Sequence, residues 1–262
     1  MIQGKSGCTI EIKDGKVIKS ASSNNYDINR LIAQAKKQRQ FSNFDLPSRL
    51  CVPTISQEIH SIEMEYVNHV NILQFLIYAT KSQVDELVTT LCRFIDYEIQ
   101  NSSIQTIDGN IILDKYESIE KKCNNIIPIL TTGVPGFLTL PIGVCHGDCT
   151  LSNILIDTLK NQIVLIDFLD SFIETPLIDI VKLRQSTKHH WECFLSSDDY
   201  DQTRIKTMLN YMDEKLVQFF EQFEWYNKYY KLFQFINFCR IIPYSTNSET
   251  DDYLLEQIKC LH

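Results

Sequence analysis

The 262-residue sequence predicts an α+β protein, with a small antiparallel sheet carrying one helix and a larger, mostly helical region. Two observations lead to this fold class. Residues 1–21, 50–56 and 60–67 have the pattern of short, half-buried strands bounded by turn formers. From Asn71 onward, apolar residues recur at the three- and four-residue spacing of amphipathic helices. The change in pattern predicts two lobes, residues 1–67 and residues 68–262.

The first lobe is expected to begin with a hairpin. Residues 8–13 alternate, Asp14-Gly15 is a strong turn signal, and the alternation resumes at Lys16 after a very short first strand. The predicted elements of this lobe are strands at 8–13, 16–19, 50–56 and 60–67 and a helix at 27–40. Together they form one small sheet with one helix.

The second lobe is expected to be helical except around its centre. Its predicted helices are 71–99, 112–124, 177–190, 201–222, 226–241 and 250–261, and its predicted strands are 153–156 and 163–168. The two strands are short apolar runs joined by a turn at Lys160-Asn161.

Composition and charge narrow the range of possible functions. The chain has 44% hydrophobic and 22% charged residues, as ordinary globular proteins do, and its net charge is −8, which argues against binding to a phosphate backbone. Nine scattered cysteines without a Cys-x-x-Cys pair favour a reducing compartment. Without a signal peptide or a membrane-spanning run, we expect a cytoplasmic protein with neither a nucleic acid nor a membrane as partner. Nothing in the sequence indicates the oligomeric state.

One segment carries the chemistry. Cys145-His146-Gly147-Asp148 leads through Asn153 into an apolar run, and Asp167 ends the next one. Phosphoryl transfer needs a carboxylate that accepts the proton of a hydroxyl and hard oxygen ligands for Mg²⁺. Asp148 suits the first role, and Asn153 and Asp167 suit the second. Each residue alone could be a turn former, but their ordered combination between apolar runs favours a site.

The pattern His-Gly-Asp-x4-Asn followed by Ile-Asp-Phe resembles the aminoglycoside phosphotransferase and choline kinase family, which has a bilobal protein-kinase-like fold. The resemblance is specific over about residues 143–183 and implies Asp148 as catalytic base with Mg²⁺ on Asn153 and Asp167. It places His146 in the catalytic loop, as a residue that orders the loop. Asp179 is expected to cap its helix or to brace that loop.

The resemblance also implies a site for ATP or GTP, between which the sequence does not choose. Gly4, Ser6 and Gly7 fall where a loop covers the triphosphate, although Gly-x-x-Gly could be a simple turn. Lys19 falls on the strand that carries a phosphate-binding lysine. The backbone of Glu65 and Val67 would then contact the nucleotide base.

One departure from the family concerns the partner of that lysine. The helix predicted at 27–40 contains no Glu, so Gln34 or Gln38 would have to substitute for the usual Glu. Two hypotheses follow. The first is a small-molecule kinase acting on a sugar, amino sugar or amino alcohol, and the alternative is a catalytically weak, nucleotide-binding regulatory protein. A protein kinase is disfavoured because no Ala-Pro-Glu sequence follows Asp167.

Three residues are candidates for binding the acceptor. Asp170 and Glu174 follow the predicted metal strand and would favour a cationic or polyhydroxyl substrate. Arg240 lies inside an apolar helix and is a candidate contact for the acceptor or a phosphate. Cys145, His146 and Cys149 are too few to form a zinc site by themselves.

Overall fold

The fold is described from a computed structural model that covers residues 2–3, 8–21, 24–58, 60–123, 130, 133–196, 200–245 and 247–261. The predicted phosphate loop with Gly4, Ser6 and Gly7 lies outside these residues. No helix within the described ranges is both long and apolar enough to cross a bilayer.

The first lobe contains a five-stranded antiparallel sheet. Its strands are β1 (Ile2–Gln3), β2 (Thr9–Lys13), β3 (Lys16–Ser20), β5 (Ile55–Gln57) and β6 (Ser61–Glu65), in the order β1-β2-β3-β6-β5. The β2–β3 turn is the predicted Asp14-Gly15 pair, and both residues have positive φ, at 50° and 74°. Lys19 on β3 pairs with Ile10 and Ile62, so it lies in the middle of the sheet. The predicted hairpin is confirmed.

The predicted helix of this lobe is α1 (Asn25–Ser42), which packs against β5 and β6. It begins at Asn24, whose side chain accepts a hydrogen bond from the backbone N–H of Asp27 at 2.8 Å. Its buried Leu31 and Ala35 meet Ile62 and Met64 of β6 in a small core beneath the sheet. This contact holds α1 against the strand next to Lys19.

The single strand predicted at 50–56 is wrong, because the segment is broken in two. Leu50–Cys51 forms β4, which pairs in parallel with β10 (Gln162–Leu165) in a different sheet. The break falls at Pro53, which has no N–H to donate to a ladder. Through β4, the chain of the first lobe therefore joins the sheet of the second.

The second lobe is mostly helical, as predicted. Its helices are α2 (Ile72–Tyr78), α3 (Lys81–Gln100), α4 (Asn110–Glu120), α5 (Pro176–Thr187), α6 (Trp191–Leu195), α7 (Gln202–Phe220), α8 (Glu224–Cys239) and α9 (Ser248–Lys259). The run predicted at 71–99 divides at Thr80, which caps α3 in a reciprocal arrangement with Gln83. The short helix α6 was not predicted.

Strands β7 (Ser102–Asp108) and β8 (Phe137–Gly143) were also not predicted. They pair antiparallel along their whole length, with Ser103 opposite Ile142. β9 (Ile154–Asp157) and β10 confirm the two predicted central strands and pair antiparallel through a turn at Asn161, where φ is 54°. The loop between β8 and β9 and the end of β10 carry the candidate site.

Candidate active site

Asp148 lies in the loop before β9, and two cations approach its carboxylate. Oδ1 is 2.9 Å from Lys182 Nζ and 3.8 Å from Arg240 Nη2, and Oδ2 accepts a hydrogen bond from Asn153 Nδ2 at 3.0 Å. Burial favours the neutral acid, but Lys182 and Arg240 outweigh it and lower the pKa of Asp148 to about 2. The predicted base is therefore ionised and already adjacent to Asn153.

Lys182 was missed by sequence reasoning. It lies on α5 with only 3% of its surface exposed, three residues after Asp179 and thus on the same helix face. Burial, followed by the charge of Arg240, lowers its pKa to about 8 despite the attraction of Asp148. A lysine one turn after Asp179, among the apolar residues of the first half of α5, was the signal that could have found it.

His146 orders the catalytic loop through both ring nitrogens. Nε2 lies 2.9 Å from the carbonyl oxygen of Ile166, and Nδ1 accepts a hydrogen bond from the backbone N–H of Asp148 at 3.2 Å. The ring packs on Phe168 with a centroid separation of 4.1 Å. Burial lowers the pKa of His146, and a neutral ring protonated on Nε2 satisfies both contacts.

Asp179 braces the same loop from below. Its fully buried carboxylate accepts hydrogen bonds from the backbone N–H groups of His146, Gly147 and Cys149, at 2.5, 2.9 and 3.2 Å. Gly147 has a φ of 87°, and a Cβ there would collide with the carbonyl oxygen of Leu169. The expected bracing role of Asp179 is what the structure shows, while Thr175 caps α5.

Glu98 on α3 is a second buried carboxyl beneath the loop. Its Oε1 accepts a hydrogen bond from the backbone N–H of His146 at 2.9 Å, and none of its surface is exposed. Burial first, and then the adjacent charge of Asp179, raise the pKa of Glu98 well above its usual value. Glu98 is therefore held in its protonated form next to an acceptor, Asp179.

This arrangement makes stability depend on pH. The unfolded chain releases the Glu98 proton near pH ~4.3, whereas the folded chain retains it. The contribution of Glu98 to the free energy of unfolding is therefore complete below that pH, and it declines as the pH rises towards the pKa of Glu98 in the folded protein. Glu98→Gln, which is neutral at every pH, should be more stable than the parent at pH 8 and should lose that advantage at pH 5.

Urea unfolding of both proteins at the two pH values checks this prediction. The difference in unfolding free energy between variant and parent cancels the contributions of the other titrating groups. Equal differences at pH 5 and pH 8 would show that Glu98 is ionised in the folded protein.

Asp167 and Lys19 meet at the other side of the site. Lys19, only 3% exposed, places Nζ 2.9 Å from Asp167 Oδ1, and Asp167 follows β10 with a φ of 60°. The remaining oxygens fit a hard cation. Asn153 uses its amide nitrogen on Asp148, which leaves Oδ1 free for a metal, and the carboxylate of Asp167 is more than a third exposed.

A metal bound here would take further ligands from phosphate and water. The described ranges contain no group of three or more His, Cys, Asp or Glu side chains that could hold a metal ion. Mg²⁺ needs only one or two protein oxygens when nucleotide phosphates complete its octahedron. The donor set of Asn153 and Asp167 therefore fits Mg²⁺ as a companion of the nucleotide.

The missing Glu of α1 is not replaced by a glutamine. Gln38 donates to the carbonyl oxygen of Pro53 at 2.9 Å, and no hydrogen bond joins Gln34 to Lys19 within the described part of the chain. Instead, α1 presents Lys37, whose Nζ lies 2.6 Å from Glu174 Oε2 and 2.6 Å from the carbonyl oxygen of Leu169. The contact between α1 and the catalytic segment is thus an ion pair with a lysine on the helix side.

The remaining predicted residues lie in different surroundings. Glu174 is held by Lys37 and by the backbone N–H of Ser171 at 2.8 Å, whereas Asp170 is exposed. At the end of β6, Glu65 pairs with Lys160 at 3.3 Å, and the carbonyl oxygen of Val67 lies 2.9 Å from His69 Nδ1. Of the acceptor candidates, the structure brings Arg240 to Asp148.

Comparison with known families agrees with this geometry. Residues 121–195, which include Asp148, Asn153, Asp167 and Asp179, match the family described as the phosphotransferase enzyme family. The predicted resemblance is confirmed. Phosphotransferases of this kind act on hydroxyl groups, so the predicted enzyme class, a phosphotransferase with an alcohol group as acceptor, is confirmed with it. The matched segment extends from the end of α4 through α6.

Solved phosphotransferase structures share the fold. An aminoglycoside phosphotransferase from Streptomyces rimosus in complex with ADP and streptomycin is 12% identical, covers 90% of this chain and 94% of its own, and has a TM-score of 0.52. The GDP complex of an aminoglycoside 2'-phosphotransferase is 12% identical over 97% of this chain and 86% of its own, with a TM-score of 0.54. The choline kinase LicA from Streptococcus pneumoniae is 10% identical over 97% and 89%, with a TM-score of 0.52.

At these identities the structural likeness shows the fold alone, and the predicted bilobal, kinase-like fold class is confirmed. A search of curated protein sequences gave no significant match.

Proposed function

We propose that this phosphotransferase moves the γ-phosphate of ATP or GTP to a hydroxyl group of a small molecule, with Asp148 as the acceptor of the hydroxyl proton. The observation that carries the proposal is the ionised carboxylate of Asp148 beside Asn153. The pair of Lys19 with Asp167, which joins β3 to the segment that follows β10, supports it.

The low pKa of Asp148 indicates how it would act. A carboxylate with a pKa of about 2 is a weak base, but it accepts a hydrogen bond from a hydroxyl and so orients the oxygen for attack. In a loose transition state the hydroxyl proton becomes acidic only late, as the bond to phosphorus forms. Asp148 can then take the proton, and His146 keeps the loop in place.

The nucleotide would lie between the lobes 1–67 and 68–262. Lys19 supplies a buried ammonium group for phosphate oxygens, and Asn153 and Asp167 would hold Mg²⁺, which offsets the charge of the phosphates. We assign the base edge to the backbone at Glu65 and Val67 and the phosphate cover to the loop of Gly4, Ser6 and Gly7. The nucleotides bound in the related structures, ADP and GDP, support either ATP or GTP as co-substrate.

The acceptor class follows from the enzymes that share this fold. Their names identify streptomycin and choline as bound or phosphorylated molecules, which supports a sugar, amino sugar or amino alcohol as the starting panel. A soluble protein acting in the cytoplasm is consistent with such substrates.

Purified protein with Mg²⁺ and ATP or GTP should phosphorylate at least one member of that panel, as detected by mass spectrometry of the product. Chelation of the metal should abolish the transfer. Lys19→Met should lower kcat by about 10²-fold, because a positioned cation on the phosphates is lost. Lys16→Met is the matched control, since Lys16 lies on the same strand but is exposed and pairs with Glu63.

Binding of nucleotide without transfer to any acceptor would contradict the proposal. That result would favour the alternative, a catalytically weak regulatory protein. Equal losses in Lys16→Met and Lys19→Met would show that the effect is not specific to the site.

A further inference from the structure

The site contains more positive charge than Asp148 requires. Lys182 Nζ already pairs with Asp148 Oδ1 at 2.9 Å. Arg240 Nη2 approaches the same oxygen at 3.8 Å, which is beyond hydrogen-bond distance. The guanidinium group makes no hydrogen bond to any side chain or carbonyl within the described residues, and 31% of the side chain is exposed. Arg240 is the C-terminal cap of α8, where the helix dipole favours a positive charge. The N–H donors of its guanidinium group still lack an acceptor among the described residues.

A second cation lies on the same wall. Lys115 on α4 places Nζ 5.7 Å from the centre of the Phe172 ring, and that ring stacks on Phe233 of α8 at 6.0 Å. Phe233 and Arg240 are seven residues apart, so they share a face of the helix. Phe172, which is only partly buried, therefore lies over the buried Phe233, with Lys115 above its ring and Arg240 two turns further along α8.

The charge of Arg240 also acts on Lys115. Burial first, and then the charge of Arg240, lower the pKa of Lys115. Burial also lowers the pKa of Arg240. The charges of Asp148 and Tyr244 oppose this change, and the charge of Arg30 on α1 adds to it. Cations that repel one another at a partly open surface are stabilised when an anion binds between them.

Of the two acidic residues expected to face the acceptor, one is engaged elsewhere. Glu174 is bound to Lys37, and the nearby Asp179 is bound to the backbone of the catalytic loop. Asp170 is exposed and has no ion pair among the residues described here. The cationic or polyhydroxyl acceptor expected from Asp170 and Glu174 is therefore supported by Asp170 alone.

We propose that the acceptor is an anionic hydroxy compound, whose carboxylate or phosphate group is bound by Arg240 and Lys115 while its hydroxyl lies at Asp148. The inference rests on the proposed function, since it names the substrate class of that site. The partly buried ring of Phe172 would contact the body of the acceptor, and the two cations would recognise its charge.

Calorimetric titration tests the proposal without requiring turnover. The protein is first saturated with Mg²⁺ and a non-hydrolysable ATP analogue, so that phosphate positions of the nucleotide site are filled. Glucose, glucosamine, glucuronate and glucose 6-phosphate are then titrated, which varies the charge on one sugar ring and separates carboxylate from phosphate. At least one anionic sugar should bind about tenfold or more tightly than glucose, as one charge-assisted contact implies.

Variants assign that preference to the two cations. Arg240→Gln and Lys115→Gln should each lower the affinity for the anionic sugar by about tenfold and leave that for glucose unchanged. Lys231→Gln removes an exposed charge from α8 and should change neither affinity. Lys115 is half-exposed, so its variant keeps the test valid if Arg240→Gln unfolds.

Preference for glucose or glucosamine, failure of both anionic sugars to bind, or unchanged affinity in both variants would overturn the proposal. Phosphate transfer measured on the same four sugars separates it from the proposed function. Anionic sugars that bind but are never phosphorylated would leave the binding site intact and contradict the kinase assignment. Phosphate transfer to glucosamine alone would support the kinase assignment and contradict the proposed anionic acceptor.

Discussion

An Asp148→Asn variant is expected to bind nucleotide normally and to transfer phosphate more slowly by roughly 10²–10⁴-fold. Asparagine has the same shape and can still accept a hydrogen bond from Asn153, but it cannot take a proton from a hydroxyl. The nucleotide residues Lys19 and Asp167 pair with each other rather than with Asp148, so their geometry is unaffected. The checks are kcat for transfer and calorimetric titration of the nucleotide.

The same change removes the partner of a buried cation. Lys182 is only 4% exposed at its side chain, and an ion pair broken on one side costs about 3–5 kcal/mol when it is fully buried. Asp148 is 23% exposed, so we expect a smaller loss, near ~2 kcal/mol, by the discount that partial exposure requires.

Asp148→Asn combined with Lys182→Met serves as the control for folding. It should recover most of the lost stability because the buried ammonium group of Lys182 is removed together with its partner, but it should stay inactive. Recovery of turnover in the double variant, or a parental kcat in Asp148→Asn, would contradict the role of Asp148 as proton acceptor.

The largest effect on stability is expected for Asp179→Ala, about 3–5 kcal/mol, because buried N–H groups left without an acceptor cost about 1–3 kcal/mol each. The N–H groups of Gly147 and Cys149 would be left without an acceptor, while that of His146 would keep Glu98 alone. Since domains of ordinary stability unfold at about 5–15 kcal/mol, this is a large fraction of the total. Urea unfolding measures the loss directly.

Asp170→Ala is the matched control for that experiment. It removes the same atoms from an exposed position a few residues after the metal strand, and surface changes of this kind alter stability by about 0.5 kcal/mol or less. Asp179→Asn keeps one acceptor oxygen and should fall between the two. If Asp179→Ala were as stable as Asp170→Ala, the carboxylate would not be bracing the loop.

Local sequence patterns were sufficient to predict several helices and strands and part of the candidate site. Helix periodicity located α7 and α9, which each bury one apolar face, and it also located α5 and α8, which are buried more completely. The Asp14-Gly15 turn located the first hairpin. The strand predicted at 50–56 failed, since the break at Pro53 sends Leu50–Cys51 to a partner strand more than a hundred residues away. A single sequence contains no signal for a pairing of that length.

The contacts of the candidate site also divide into those that sequence spacing predicts and those that it does not. Asp148 and Asn153 are close in sequence, so their contact within one loop could be expected from spacing. The sequence also shows that α1 has no Glu, but not that Lys37 would instead reach Glu174, 137 positions away. Such contacts depend on how the helix packs on β6, which the apolar pattern of the helix does not specify.

By itself, then, the sequence determined the reaction class, because the residues that phosphoryl transfer requires occur in one ordered segment. Only the tertiary structure decided the electrostatics around them. Lys182, Arg240 and Lys115 come from three different helices, and their convergence on Asp148 and Phe172 is set by helix packing. Since charges act through space rather than along the chain, the anionic acceptor that we propose could be inferred only when those helices were in place.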